Sequence, residues 1–269
     1  MKSRLFNWTM AGLVACTMSA QAQTGVSVMA AGSLKDALTE VAAQAQAKSG
    51  VPLNLTFGPS GLLRQRLETS TDAAAQSVSL FMSADTDHPQ KLVQGGGWQA
   101  VQVVLQNRMC VLANENVKTG DVLSLLLESS TRVGISTPKA DPAGDYAWAL
   151  FGKADALRPG ATNTLREKAQ QLTGGPQSAQ APAGRNPYAW VMSQGSVDVF
   201  VTYCTNAKSA QKDTPTLKII AIPETLQVSA SYGMTLRANA SMAEQQFTQT
   251  LLQAEAQTVF AKYGFSPAP

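Results

Sequence analysis

The sequence predicts an α/β protein whose sheets are mostly parallel and covered by helices on both faces. Short apolar segments alternate with segments whose apolar residues recur at helical spacing, and loops of small residues join them. The composition agrees, because 44% hydrophobic and 14% charged residues provide enough apolar material for a packed core. The length corresponds to one large domain or two modest ones.

The N-terminal half alternates strand and helix regularly. After a first strand, Leu34, Leu38 and Val41 recur at helical spacing until Gly50 ends the helix. The last strand of this half is long enough to serve also as a crossover. The predicted strands are 26–30, 51–57, 77–85 and 101–113, and the helices begin near Leu34, Leu62 and His88.

The C-terminal half continues the alternation with longer helical segments. The predicted strands are 132–136, 197–204 and 217–222, and the predicted helices are 144–152, 157–172, 187–194 and 243–263. Gly, Pro, Ser and Ala dominate residues 174–184, which predicts a loop.

The N-terminus indicates a secreted protein. Lys2 and Arg4 precede a largely apolar run over residues 5–20, and Ala20-Gln21-Ala22 has the small-x-small pattern of a cleavage site. The sequence therefore predicts a signal peptide over residues 1–22 and a periplasmic mature protein. An alternative is processing as a lipoprotein at Cys16, which ends a Leu-Val-Ala-Cys box.

The two cysteines of the mature chain bear on its redox chemistry. Cys110 and Cys204 both lie in apolar segments that read as strands, and an oxidising compartment favours a disulfide between them. The alternative is a pair of buried, inert thiols.

Composition argues against several classes of function. A net charge of +3 without a basic run gives no case for nucleic acid or a membrane surface as partner. The only histidine is His88, so a zinc site is not expected and a hydrolytic triad would depend on that residue alone.

Helix starts are the most informative feature. Small or polar residues open predicted helices at 30–34, 57–62, 141–146 and 184–188. A helix N-terminus offers free backbone N–H groups and the positive end of the helix dipole. Grouped around one cleft, these starts would form a site for a small oxyanion.

An ordered set of motifs, SVMAAGSLKDAL, FGPSGLLRQRLE, LFMSAD, PAGDYA, VFVTY and VFAKYGF, resembles the periplasmic molybdate-binding proteins of ABC transporters. The resemblance implies a two-lobe type II periplasmic-binding-protein fold with the ligand in the cleft between lobes. It also implies a membrane permease as partner. Lobe I would comprise residues 23–105 and 226–269, and lobe II residues 106–225.

The resemblance also implies a set of ligand contacts. Hydroxyl groups of two serines and one tyrosine and two backbone amides hold the anion in that family. By motif these correspond to Ser33, Ser60, Tyr203 and the amides of Ala143 and Arg185. The chain departs from the family pattern at Arg185, where an apolar residue is usual, and at Ser79, where an aspartate is usual.

Each assignment has a structural alternative. Ser33 has the capping-box spacing to Asp36, and Ala143 could form an ordinary first turn after a proline. Tyr203 could be a core aromatic residue. The Arg185 guanidinium either faces the anion or pairs with a carboxylate on the rim.

The predicted function is binding rather than catalysis. A monomer would take up one molybdate or tungstate ion without any cofactor and close its lobes around it, which should change the fluorescence of Trp148 and Trp190. The alternatives are a binding protein for another oxyanion such as sulfate or thiosulfate, a sensor domain, and a secreted hydrolase.

Overall fold

The computed structural model describes residues 25–269. The predicted signal peptide and the alternative lipoprotein site at Cys16 lie outside the described residues. None of the helices within 25–269 is both long and apolar enough to cross a membrane.

In the first part of the chain, three parallel strands alternate with helices, and a long fourth strand follows. Helix α1 ends where Gly50 adopts a left-handed conformation with φ of 70°. The elements are β1 (Val26–Ala31), α1 (Lys35–Ser49), β2 (Leu53–Gly58), α2 (Ser60–Thr69), α3 (Ala73–Gln76), β3 (Leu80–Ser83), α4 (Asp87–Gly95) and β4 (Gln102–Ala113).

The central part begins after β4. Side chains of Asp121, Asp141 and Asn186 cap three of its helices by accepting first-turn N–H groups. The elements are α5 (Val122–Leu127), β5 (Val133–Ser136), α6 (Pro142–Ala154), α7 (Ala161–Lys168), β6 (Gln170–Thr173), α8 (Pro187–Ser193), β7 (Val199–Tyr203), α9 (Cys204–Asp213) and β8 (Lys218–Ala221).

The last part returns to the first. Ser241 and Glu244 form a complete capping box at the start of its first helix. The elements are β9 (Ser229–Leu236), α10 (Met242–Leu252), α11 (Ala254–Tyr263) and β10 (Ser266–Pro267).

The sheet is mixed and passes through both halves of the molecule. Its strand order is β2-β1-β3-β9-β4-β7-β5-β6, and β8 and β10 also pair with β4. The outer strands run parallel, whereas β9 and β4 pair antiparallel with their neighbours. The predicted α/β fold class is confirmed, and antiparallel pairing is added because β4 runs through both halves and β9 pairs with β3 and β4.

Strand β4 shows where the halves meet. Residues Gln102–Arg108 pair with β9, and Met109–Ala113 pair with β7. We call the part containing β1, β2, β3 and β9 lobe I, and the part containing β5, β6, β7 and β8 lobe II.

Fully buried side chains mark the core of each lobe and their junction. Phe81 and Phe260 are fully buried in lobe I, and Phe151 and Phe200 in lobe II. At the junction, Tyr146, Tyr203 and Tyr232 pack against one another, so hydroxyl groups lie among the buried aromatic rings.

Several element predictions are wrong. The predicted helix over 157–172 ends at Lys168, and strand β6 follows because Gln170–Thr173 pair with β5. The predicted helix over 243–263 is two helices, separated where Gln253 adopts an extended conformation. Strand β9 and helix α9 were not predicted. The local apolar pattern of these segments is weak, and pairing with distant strands determines their secondary structure.

Candidate functional site

Hydroxyl groups from both lobes converge on the backbone of Ala84. Ser60 begins α2 and is only 1% exposed, and its Oγ accepts the N–H of Ala84 at 3.1 Å. Tyr203 ends β7, is likewise 1% exposed, and donates its hydroxyl to the carbonyl of Ala84 at 3.4 Å. Two of the predicted ligand contacts, one from each lobe, therefore lie at the same point of the cleft.

The lobes are in direct contact beside this point. The N–H of Gly61 in lobe I donates to the carbonyl of Ala140 in lobe II at 2.9 Å. At a second place, the hydroxyl of Ser209 on α9 donates to Asp36 Oδ2 on α1 at 3.0 Å. These bonds between lobes hold the cleft shut.

Ser33 reaches the same region through a second tyrosine. It lies in a short 3₁₀ turn before α1, and its Oγ is 2.8 Å from the hydroxyl of Tyr232. That hydroxyl also accepts a bond from Asn107 Nδ2 at 3.2 Å, and the ring of Tyr232 is 5.8 Å from that of Tyr203. The Ser33 hydroxyl thus bonds across to β9 rather than capping α1.

The amide of Ala143 is at the start of α6 and is completely buried. Its N–H donates to Oδ1 of Asp141 at 3.1 Å, and Pro142 occupies the first helical position. The amide that the sequence predicts as a ligand contact is therefore bonded to the side chain that caps its own helix.

Arg185 pairs with a carboxylate at the end of α9. Its Nε donates to Asp213 Oδ2 at 3.0 Å, and its backbone N–H donates to the carbonyl of Pro182 at 3.1 Å. The side chain takes the rim position, the alternative that the sequence left open. The amide predicted to face the anion is engaged within its own loop.

We therefore expect Arg185→Val to change anion affinity less than about twofold. The guanidinium side chain is 40% exposed, and exposed ion pairs contribute about 0–1 kcal/mol. Titrations at two salt concentrations check this. A steep loss of affinity together with a reduced salt dependence would show that the charge acts on the ligand.

Ser60→Ala should weaken both binding and folding. The hydroxyl is predicted to bond a charged ligand, worth about 1.5–3 kcal/mol, and its loss also leaves the Ala84 N–H without an acceptor, costing about 1–3 kcal/mol. Calorimetry and urea unfolding measure the two effects. The exposed Ser77→Ala is the matched control, and unchanged binding by the Ser60 variant would remove this residue from the site.

The tyrosine hydroxyls of the cleft remain neutral donors. Burial raises the pKa of Tyr146 to about 12, and it also raises the pKa of Tyr203 and of Tyr232 well above the ordinary value of a tyrosine. At physiological pH each O–H can donate to an anion without a competing phenolate charge.

Asp141 is a desolvated carboxylate whose pKa is raised. Desolvation raises its pKa to about 6, outweighing the lowering effects of hydrogen bonds from Ala143 and Ser136. The neighbouring Asp145 has its pKa raised by desolvation as well.

This shift predicts a pH-dependent stability. The folded pKa lies above the unfolded value, so the folded state binds more protons between about pH 4 and pH 6 and stability falls as pH rises through that window. Asp141→Asn should therefore be more stable than the parent at pH 7.5, by up to about 3 kcal/mol, and similar to it at pH 4. Urea unfolding at both pH values measures this. An equal difference at both would contradict the shifted pKa.

The environment of His88 does not suit a catalytic base that activates a serine. It is buried on α4, its Nδ1 accepts a bond from Arg64 Nε at 3.2 Å, and desolvation lowers its pKa. Within residues 25–269, no group of three or more His, Cys, Asp or Glu side chains could hold a metal ion.

Two residues of the cleft were missed in the sequence. Tyr232 lies in β9, where Ala230, Tyr232, Met234 and Leu236 alternate with small or polar residues, a period-two pattern that could have predicted the strand. Asp141 precedes a proline at a helix start, a recognisable N-cap signal.

Cys110 on β4 and Cys204 at the start of α9 are joined in a disulfide. The bond fixes the turn that follows Tyr203, so it supports one of the candidate contacts.

Comparisons with known proteins agree with this architecture. The family described as bacterial extracellular solute-binding protein matches residues 26–266. An uncharacterized protein of Pasteurella multocida, PM1146, is 34% identical over 246 residues, which are 90% of this chain and 98% of that protein.

Solved structures match at lower identity. The sulfate-binding protein SubI from Mycobacterium tuberculosis has a TM-score of 0.75 at 17% identity, covering 91% of this chain and 87% of that one. PEB3 with bound L-phospholactate has a TM-score of 0.70 at 17% identity, covering 90% of this chain and 99% of that one. Peb3 from Campylobacter jejuni has a TM-score of 0.69 at 17% identity, with the same coverage. The periplasmic molybdate-binding protein of Azotobacter vinelandii gives 0.65 at 17%, covering 91% and 99%. These likenesses concern the fold.

Proposed function

This chain belongs to the bacterial extracellular solute-binding proteins, and from that we propose that it captures a small oxyanion between its lobes and delivers it to the permease of an ABC importer. One observation carries the proposal. The hydroxyls of Ser60 and Tyr203, from opposite lobes, meet at Ala84 at the buried junction between the lobes, beside the start of helix α2.

Neutral donors suit an anion that must be both held and released. A buried anion is costly unless hydrogen bonds replace its water, and hydroxyls, amides and helix starts can supply them. Since Ser60 and Tyr203 belong to different lobes, both can reach one small ion only when the lobes are together. The ligand would then favour the closed state by binding it better.

The names of three similar structures support an oxyanion as the ligand. By their names, one similar structure is a sulfate-binding protein, one a molybdate-binding protein, and one was solved with L-phospholactate. The motif resemblance supports molybdate and tungstate as the first candidates for this chain. Both are tetrahedral dianions of similar size, so a site made of donors should hardly distinguish them.

A calorimetric panel tests the proposal. The mature protein is titrated at low salt with molybdate, tungstate, sulfate, thiosulfate and phosphate, with chloride as the control. We expect one anion per monomer and a change in the fluorescence of Trp148 or Trp190. Sulfate binding more tightly than molybdate would reject the ranking, and binding of none of them would reject the oxyanion class.

Two other functions are weaker. A secreted hydrolase would need His88 to activate a serine, but His88 is hydrogen-bonded to Arg64, while Ser60 is bonded to Ala84. A sensor domain would use the same ligand site. Uptake of the bound anion by vesicles that contain the permease would distinguish transport from sensing.

A further inference from the structure

Asn107 lies on β4 at the point where that strand changes partners. Arg108 is the last residue that pairs with β9, and Met109 is the first that pairs with β7. The Asn107 side chain is buried and contacts both lobes. Its Nδ2 is 2.8 Å from Oγ1 of Thr205 on α9 and 3.2 Å from the hydroxyl oxygen of Tyr232 on β9. One amide group therefore connects the two lobes beneath the candidate site.

The orientation of this amide is fixed by the backbone. Oδ1 of Asn107 lies 2.9 Å from the backbone nitrogen of Arg108. A backbone N–H can only donate, so the atom that faces it must be the side-chain carbonyl oxygen. The other end of the amide is then the NH₂ group, which has two hydrogens to donate. The hydroxyl oxygens of Thr205 and Tyr232 consequently both accept from Asn107.

The proton of the Tyr232 hydroxyl has one place to go. Burial raises the pKa of Tyr232 well above the ordinary value, so the hydroxyl keeps its proton. Within residues 25–269, the partners of this hydroxyl are Asn107 and the Oγ of Ser33, which is 2.8 Å away. Since Asn107 donates, a proton that did not point at Ser33 would be a buried donor without an acceptor, which is costly. Tyr232 therefore donates to Ser33.

Ser33 is left with a proton of its own to donate. Its Oγ accepts from Tyr232, and a hydroxyl can accept one bond and donate another. Ser33 is partly exposed in the turn before α1, whereas Asn107 and Tyr232 are buried. Hydrogen bonds in a chain also strengthen one another, so a hydroxyl that already accepts is a better donor. The chain from Asn107 thus ends in a prepared donor at a residue that the motif resemblance predicts as an anion contact.

We propose that Asn107 is a positioning residue of the oxyanion site, which acts through Tyr232 to orient the Ser33 hydroxyl as a donor to the bound anion. The inference rests on the proposed function and deepens it, because it adds a residue that acts without touching the ligand. A fully deprotonated oxyanion only accepts hydrogen bonds. A Ser33 hydroxyl turned the other way would present lone pairs to it and repel it.

Asn107→Asp tests the proposal because it reverses the chain. The carboxylate still accepts the N–H of Arg108, but it replaces the NH₂ donor with a second acceptor. Tyr232 would then donate to position 107 and accept from Ser33, so that the Ser33 proton is no longer free for the anion. The mature parent, Asn107→Asp, Ser33→Ala and the double variant are titrated calorimetrically at pH 7.5 with molybdate, sulfate and phosphate.

The decisive quantity is the factor by which Asn107→Asp lowers the affinity for the ion that the parent binds most tightly. This factor should be at least about tenfold larger in the protein that has Ser33 than in Ser33→Ala, the scale of one hydrogen bond to a charged group. A repulsive charge or a general disturbance of the fold would act equally in both backgrounds. Equal factors would therefore overturn the inference.

Two further variants serve as controls. Asn206 is a second buried asparagine, and its Nδ2 donates to Oγ1 of Thr202 at 3.0 Å without contacting Tyr232. Asn206→Asp should change affinity by the same factor with and without Ser33. Tyr232→Phe removes the middle of the chain, so in that background the effect of Asn107→Asp should no longer depend on Ser33. A dependence that persisted there would contradict the role of Tyr232.

Neutron diffraction from deuterated crystals of the parent needs no variant to fold. The deuteron between Tyr232 and Ser33 should be attached to the tyrosine oxygen, and both deuterons of the Asn107 amide should be on the nitrogen that faces Thr205 and Tyr232. A deuteron attached to Ser33 and pointing at Tyr232 would overturn the inference, whatever the binding data show.

The outcomes separate this inference from the proposed function. If the parent binds one of the three ions and the effects of Asn107→Asp and Ser33→Ala simply add, the proposed function stands and Asn107 has a structural role only. If the parent binds none of the three ions, the proposed function fails and the inference fails with it.

Discussion

Gly61→Ala should hold the lobes apart and lower oxyanion affinity by at least about a hundredfold, or roughly 2.7 kcal/mol. A Cβ at position 61 would lie 2.3 Å from the carbonyl oxygen of Lys139 and 2.8 Å from that of Ala140. Both obstacles are backbone atoms of the opposite lobe, so the lobes must separate. Small-angle scattering and calorimetry measure the expansion and the loss of binding.

The control for this variant is Gly152→Ala. Gly152 lies in helix α6, and a Cβ there would meet nothing within 4 Å. It should bind as the parent does and unfold at a similar or slightly higher temperature, because alanine favours a helix. If Gly61→Ala gave the same scattering curve and affinity as the parent, contact between the lobes at this point would not be required for binding.

Replacing both disulfide cysteines should cost more stability than any other change considered. Cys110→Ser with Cys204→Ser opens a loop with a sequence separation of 94 residues, which spans most of lobe II. The chain-entropy model assigns such a loop about 4–5 kcal/mol of stability. Urea unfolding of parent and variant measures it.

A reductant provides the matched control. It should destabilise the parent to the level of the double variant and leave the double variant unchanged. Anion affinity should fall as well, because Cys204 directly follows Tyr203 and fixes the start of α9. A stability loss below about 1 kcal/mol would show that packing of β4 against α9 suffices without the bond.

Local sequence patterns account for the fold class, and together with the family resemblance they predict the residues of the candidate site. Strand β1, helix α1 and the long β4 follow from apolar spacing and from Gly50, since period and punctuation are local properties of the chain. Motif order placed Ser33, Ser60, Ala143 and Tyr203, which the fold brings to one junction.

The contacts of those residues depend on the packing of segments that are distant in sequence. Strand β9 forms because Ser229–Leu236 pair with both β3 and β4, residues far away in sequence. The partners of Ser60, of Arg185 and of the Ala143 amide likewise come from packing, and so does the desolvation of Asp141. Local periodicity carries no information about which distant groups come into contact. At this junction those contacts determine which charges and hydrogen-bonding groups a ligand would face.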